Sequence, residues 1–331
     1  MKGNGYPYIE VVFAVPVRQA FTYTVPEHLQ QQVKIGCRVE APFGKRNEIG
    51  YIVSHRQEKP REIQKIKPIT RQIDEIPIFE PSLLPFLDWV ANYYLCSRGE
   101  VYAAAYPFSP DIQPKKVTYV ILKEAFRNEP ALLKGIRGDA QNKVIAFLLE
   151  NPGRYSPSQI AKRVGVSQSP IKTLQQNGVI ELVEAEEYRG PTYSSHEITQ
   201  QFQLTQEQEQ CISHIETALD LSKPKPILIQ GVTGSGKTEI YLQAIHRVLR
   251  RGKNALVLIP EIALTPQTMD RFRQRFGADV GILHSGLGAG ERYDEWRLAR
   301  QGKRHIIVGT RSAVFAPIKN LGIVIVDEEH E

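Results

Sequence analysis

The segment GVTGSGKT, residues 231–238, has the spacing G-x-x-x-x-G-K-[ST], and the chemistry it can do is to cradle a polyphosphate. Gly231, Gly234 and Gly236 allow backbone N–H groups to curl around the anion without Cβ obstruction, with Val232, Thr233 and Ser235 completing the loop. Lys237 is expected to neutralise the β- and γ-phosphates, and Thr238 to ligate Mg²⁺. About 90 residues later, LGIVIVDEEH puts Asp327 and Glu328 at the end of an apolar run. Asp327 then holds Mg²⁺ through water, while Glu328 orients and deprotonates an attacking water. Taken alone, such an acidic cluster also suits a solvated loop. Lys237, Asp327 and Glu328 are therefore the candidate catalytic groups of an ATP-hydrolysing site.

These groups need a rigid frame. PILIQ (226–230), ALVLI (255–259), VGIL (280–283), HIIVG (305–309) and LGIVIVD (321–327) alternate with helical patterns, and continuous apolar runs of this kind fit parallel strands covered on both faces. GLGAGE (286–291) has Glu291 where a dinucleotide fingerprint requires its third glycine, so it reads as a turn and helix cap. His284 before it fits a structural histidine better than a catalyst.

The earlier part of the chain has a different texture. YIEVVF, FTYTV and GCRVEAPFGKRNEIGYIVSH read as short strands of a small barrel or sandwich over residues 6–53. LLPFLDWVANYYL (83–95) spaces Leu83, Leu87, Val90 and Tyr94 along one helical face. The Pro-rich stretch 105–116 reads as a linker. Beyond it, KVIAFLLEN, Ser156 and Pro157 at a helix start, the turn GVSQ and then SPIKTLQQNG give a helix-turn-helix cadence. Val179–Val183 and the acidic stretch after it would add a strand and a wing, making a winged-helix domain; a three-helix protein-interaction module is the other reading.

With 331 residues, 41% hydrophobic and 24% charged, the chain can bury two or three cores and is neither disordered nor a disulfide scaffold. Cys37, Cys96 and Cys211 lie too far apart for a zinc spacing and read as buried thiols. The net charge of +6 slightly favours a polyanionic partner. No apolar run approaches the roughly 20 residues of a membrane span, and MKGNGYPYIE lacks a signal-peptide core, so a cytoplasmic protein with no membrane partner is expected.

DEEH resembles the second motif of superfamily 2 helicases. QLTQEQEQ, with Thr205 and Gln208, is similar to the glutamine motif that reads adenine. LIPEIALTPQ, LHSGLGAGERYDEW and VGTRSAVFAP, in that order before DEEH, resemble the signature of the PriA family of bacterial replication-restart helicases. AVPVRQAFTYTVP and GCRVEAPFGKRNEIGYIV are similar to that family's 3′-end DNA-binding domain. The resemblance implies a multidomain α/β chain: a 3′-end DNA-binding domain at 1–112, a winged-helix domain with linkers at 113–200, and the first RecA-like helicase lobe at 201–331.

It further implies a pocket for the 3′-hydroxyl of a nascent strand lined by Phe21, Thr22, Gly44 and Lys65, with Phe21 a stacking platform and Lys65 a phosphate contact. The family usually has an acidic residue at the position of Thr22. Phe21 and Tyr23 also suit the core face of a strand. Thr265, Gln267, Thr310, Arg311 and Ser312 are the implied contacts to single-stranded DNA, and Thr265 equally suits an N-cap. The implied activity is ATP- and Mg²⁺-dependent 3′–5′ unwinding at stalled or repaired forks, leading to primosome assembly with single-stranded DNA-binding protein and other primosome proteins. Family members continue past DEEH into a second lobe with an arginine finger and a zinc-binding insertion. The chain therefore reads as an N-terminal fragment with half of an ATP site, expected to hydrolyse little ATP alone. The alternatives are a winged-helix regulator fused to a P-loop switch ATPase, and a pure binding module.

Overall fold

Alternation in YIEVVF sets up the first sheet of the computed structural model, which describes residues 6–61, 64–136, 138–190, 203–232 and 234–330. Two compact units result, one from 1–112 with 191–331 and one from 113–190. In the first, β1 (Tyr8–Phe13), β2 (Phe21–Thr24), β3 (Arg38–Phe43), β4 (Arg46–Arg56) and β5 (Arg71–Gln72) form a sheet in the order β2-β1-β4-β3-β5. Residues 67–72 bond to both margins of this sheet. Ile69 N donates to Thr24 O at 3.0 Å, Thr70 N donates to Glu40 O at 2.8 Å, and β5 pairs with β3. Ile9, Val11, Phe13 and Ile52 face one core. Val12, Tyr51 and Val53 face the other, against helices α1 (Leu84–Tyr93) and α2 (Arg98–Ala105). A register shift between Glu10 and Val11 on the β4 side accompanies this use of both faces.

The stretch expected to be a linker is in part interior. Tyr106 and Phe108 are buried beside Phe79 and Tyr102, and each such ring contributes about 1.5–3 kcal/mol by burial. The buried guanidinium of Arg38 holds this stretch: it donates to both oxygens of Asp74, donates to Phe108 O at 2.8 Å, and lies 4.8 Å from the Tyr106 ring. Residues 106–114 join no helix or strand but reach the core, while Ala105 ends a helix and Lys115 and Lys116 open a strand. The cysteine expectation also needs correction. Only Cys37 is buried, its thiol pushed up to about 11 by burial, while Cys96 and Cys211 sit at the margins of their clusters, partly exposed.

In the second unit β6 (Lys115–Leu122) pairs antiparallel with β7 (Ile180–Glu187); a short α3 (Glu124–Asn128) follows β6 in the chain, and α4 (Asp139–Glu150), α5 (Pro157–Val164) and α6 (Ser169–Gln176) pack on this ribbon. Ser156 accepts from Gln159 N and Gln159 returns the bond, starting α5; Gly165 at φ 72° ends it. The acidic run extends β7, where Glu186 and Glu187 lie opposite Lys116 and Lys115, the outer pair in contact at 2.5 Å.

The remainder of the first unit comprises α7 (Gln206–Leu219), α8 (Lys237–Arg250), β8 (Asn254–Leu258), α9 (Pro266–Phe276), β9 (Val280–Leu283), α10 (Ala289–Arg300), β10 (Ile306–Gly309) and β11 (Leu321–Val326). The strands form a parallel sheet in the order β11-β8-β10-β9. Tyr241 and Ile245 of α8 pack on Val257 and Ile325, while Ile240 and Ala244 pack on Ile212 and Ile215 of α7. Residues 226–230, expected as a strand, join no sheet, and Leu228 is 77% exposed. Apolar sequence alone does not make a strand without a ladder partner, and among the described residues β11 pairs only with β8. Trp296 on α10 meets Tyr106 edge-on at 4.8 Å, joining this sheet layer to the N-terminal core. Among the described residues no helix is long and apolar enough to cross a membrane.

Candidate functional site

The phosphate-type loop opens α8. Gly236 is the residue before the helix, with φ 84°, and a Cβ there would lie 2.4 Å from Gln208 Nε2. A Cβ on Gly231 would lie 2.6 Å from Ser235 Oγ. Glycine at these two places keeps a backbone cradle open. Lys237 Nζ donates to Gly231 O at 2.6 Å and to Val232 O at 3.3 Å, so the ammonium lies over the loop it would share with an anion. Gly234, at φ 81°, and Ser235 are exposed, and Thr238 is half-buried in the first turn of α8. Thr233 lies outside the described residues.

Gln208 reaches the same loop from α7. Its side-chain oxygen accepts from Thr205 N at 3.0 Å, Thr205 Oγ1 accepts from Gln208 N, and Gln208 Nε2 donates to Ser235 O at 3.1 Å. The motif thus caps its own helix and props the loop with one side chain.

Asp327 leaves β11 at the carboxyl edge of the sheet. Its backbone N donates to Leu258 O, and its Oδ1 accepts from Tyr241 OH at 3.0 Å. Tyr241 stands one turn beyond Lys237, about 6 Å along the helix axis, so the loop and the DEEH segment meet through this bond. Burial, then the adjacent Asp327 charge, pushes the Tyr241 phenol far above its usual range, keeping it a donor. Glu328 is exposed, with φ 49°, a left-handed conformation that costs roughly 1–2 kcal/mol for a residue with a Cβ. Tyr241 is the residue that motif reading missed; its signal is an aromatic hydroxyl four positions after Lys237. Thr238 and Asp327 offer a hydroxyl and a carboxylate, the hard oxygen donors that suit Mg²⁺, and the glycine cradle suits a polyphosphate.

The other candidates also lie at strand ends. Thr265, after β8, caps α9 by accepting from Thr268 N at 3.3 Å, and Gln267 is exposed on that helix. Thr310 follows β10, its N donating to Leu283 O at 3.2 Å; Arg311 and Ser312 are exposed on the 3-10 turn Arg311–Phe315. His284, after β9, accepts from Gly286 N through Nδ1 and structures its own turn. Gly288 caps α10 with Glu291 as its partner, the turn-and-cap arrangement expected.

In the N-terminal sheet, Phe21 is half-buried, 5.1 Å edge-on from Phe43 and 6.0 Å from Phe13, and belongs to the packed core. Thr22 lies opposite Glu10 in the β1–β2 ladder. Gly44, at φ 61°, turns the β3–β4 hairpin next to Phe43, so Phe21 and Gly44 come to one place. Lys65 is exposed, three residues before Pro68, which bridges to Thr24 at the end of β2.

Residues 10–107 match the family described as the 3′DNA-binding domain (3′BD) of PriA, and residues 205–331 match the DEAD/DEAH box helicase family. The replication restart protein PriA of Bacillus subtilis is 31% identical over 98% of this chain and 49% of its own length. That of Chlamydia pneumoniae is 34% identical over 98% of this chain and 44% of its own, and that of Haemophilus influenzae 33% over the same shares. The chain therefore spans about half the length of the curated relatives it matches.

Proposed function

From a chain that belongs to the PriA family of replication restart proteins, we propose an ATP-dependent DNA helicase that acts at replication forks. The observation that carries this reading is the 3.0 Å bond from Tyr241 to Asp327, which supports a single nucleotide site built from the phosphate loop and DEEH. Residues 231–238 hold the phosphates, Lys237 releases its two carbonyl bonds to meet them, and Thr238 and Asp327 hold Mg²⁺, which supplies charge neutralisation for phosphoryl transfer. Glu328 orients the attacking water and takes its proton. Gln208, already fixed to Ser235, holds the adenine side of the loop.

In the whole protein the reaction drives 3′–5′ movement along single-stranded DNA that touches Thr265, Gln267, Thr310, Arg311 and Ser312 at the carboxyl edge of the sheet. The N-terminal β unit, barrel-like through its 67–72 closure, receives a 3′ end near Phe21, Thr22, Gly44 and Lys65. The 113–190 unit acts as a winged helix, and the lobe from 201 is RecA-like. Forked DNA and primosome proteins, single-stranded DNA-binding protein among them, are the partners of this reading.

Titration with a fluorescent ATP analogue tests it. Lys237→Ala should abolish binding to the whole chain, and unchanged affinity would overturn the assignment.

A further inference from the structure

A polar stripe runs along α8 away from the phosphate loop. Glu239, Gln243 and Arg247 stand four residues apart and share one helix face, with Glu239 directly after Thr238. Gln243, 6% exposed, donates through Nε2 to Glu239 Oε1 at 2.8 Å and accepts through Oε1 from Arg247 Nη1 at 3.0 Å. The carboxylate at one end and the guanidinium at the other fix which way round the amide points, because only its nitrogen can donate. Arg247 in turn donates to Glu216 of α7, the helix capped by Thr205 and Gln208.

α9 brings one more charge to this stripe. Arg275, in the last turn of α9, has a side chain 6% exposed, and its Nη2 lies 3.6 Å from Glu239 Oε1. That nitrogen is buried and makes no hydrogen bond among the described residues. A charge-assisted bond forms at about 2.7–2.9 Å, so the pair stands less than about 1 Å short of one. The other end of α9 is the sheet edge, where Thr265 caps the helix and Gln267 is exposed, about 15 Å along the axis from Arg275. Apolar side chains seat α9 on α8: Met269 and Phe272 share a cluster with Tyr241 and Ile245. Contact of this kind is non-directional and allows packed helices a small sliding step.

We propose that Arg275 and Glu239 are a positioning pair that couples single-stranded DNA to the nucleotide. A strand held at Thr265 and Gln267 slides α9 until Arg275 bonds Glu239, which fixes the first turn of α8 and with it Lys237 and Thr238. The bond is complete in one state and incomplete in the other, which is the difference in free energy that a coupled ligand needs. Coupling is reciprocal, so nucleotide on the loop tightens the strand on the edge by the same factor. The proposal rests on the reading of residues 231–238 as the phosphate loop and of Thr265 and Gln267 as strand contacts.

A fluorescent ATP analogue titrated into the whole chain, without and with saturating oligodeoxythymidylate at fixed salt, reads the coupling as a ratio of two affinities. Anisotropy of a labelled oligonucleotide reports separately on strand binding. The ratio should be about fivefold or more, and Arg275→Met should bring it to about one while changing the affinity without DNA by less than about twofold. Removing one member of a buried pair leaves the other charge uncompensated, so Arg275→Met combined with Glu239→Gln is the companion variant that leaves neither. It should lose no more of the ratio than Arg275→Met alone, and Arg275→Lys, which keeps the charge, should retain part of it. A ratio near one in the unaltered chain with both ligands bound, or an undiminished ratio in either methionine variant, overturns the proposal and leaves the loop and edge assignments standing. Failure of the oligonucleotide to bind overturns it together with the strand contacts, and failure of the analogue to bind overturns it together with the phosphate loop.

Discussion

Tyr241 donates its phenolic proton to Asp327 Oδ1 at 3.0 Å, tying the second turn of the loop helix to the end of an edge strand 86 residues away. The bond fixes one oxygen of the carboxylate and leaves Oδ2 for a metal or water. Tyr241→Phe keeps the packing on Val257 and Ile325 and removes only this bond. Stability should fall by about 1 kcal/mol. Affinity for Mg²⁺-nucleotide should fall several-fold because Asp327 is no longer preset. Thermal melting with an analogue titration checks both; lost stability at unchanged affinity would make the bond structural only.

The 3′-end reading makes Thr22 the position to vary. A threonine hydroxyl can accept or donate, so a fork ending in a 3′-hydroxyl should bind better than one ending in a 3′-phosphate. Thr22→Asp should widen that preference by adding a carboxylate that repels the phosphate. Anisotropy at fixed salt measures it, and equal affinities for both ends in both proteins would remove the pocket.

Acid should act in two stages. Burial lowers the His55 imidazole below its usual 6.5, so the folded state resists its protonation. No penalty exists above about pH 6.5, and stability falls as the pH drops from there through the lower folded value. Burial likewise lowers His246 and His284. Glu10 is desolvated, yet its bonds from Ser54 and Arg56 hold it below 4.5, so its contribution persists above that pH and is lost below it. Thermal unfolding across pH should show both limbs. His55→Phe, which can keep the stack on Tyr6, should shrink the upper one, and an unchanged upper limb would exclude His55 as its source.

Arg38→Ala leaves the largely buried Asp74 carboxylate without its ion-pair partner, with only the backbone N of residue 38 still donating to it, and frees Phe108 O. The expected loss is about 3–5 kcal/mol, read by urea unfolding. A loss below about 1 kcal/mol would show that water replaces the guanidinium cheaply.

Much of the site was legible because its chemistry fixes spacing. The glycine loop and Lys237 are local patterns, and they fold as local patterns, whereas Thr205 and Gln208, noted only for their resemblance to an adenine-reading motif, turn out to form a capping box. Contacts made across the sheet were not legible. Nothing near Tyr241 in sequence points to Asp327, and nothing in AYPFSP says that Tyr106 and Phe108 fill a core with Trp296. β6 went unread because its apolar and lysine residues gain meaning only opposite β7, where Glu186 and Glu187 meet Lys116 and Lys115. The run 226–230 shows the reverse error, since its composition is that of a strand but pairing is a property of two segments.

Among the described residues β11 pairs with β8 alone, and Leu321, Val324 and Val326 are exposed along it. An uncovered parallel margin is adhesive: its amides and carbonyls template any passing extended peptide, including one from another molecule. Concentrated preparations should therefore associate with themselves through the very border that carries Asp327, and crowding would hide the nucleotide site before it unfolds the chain.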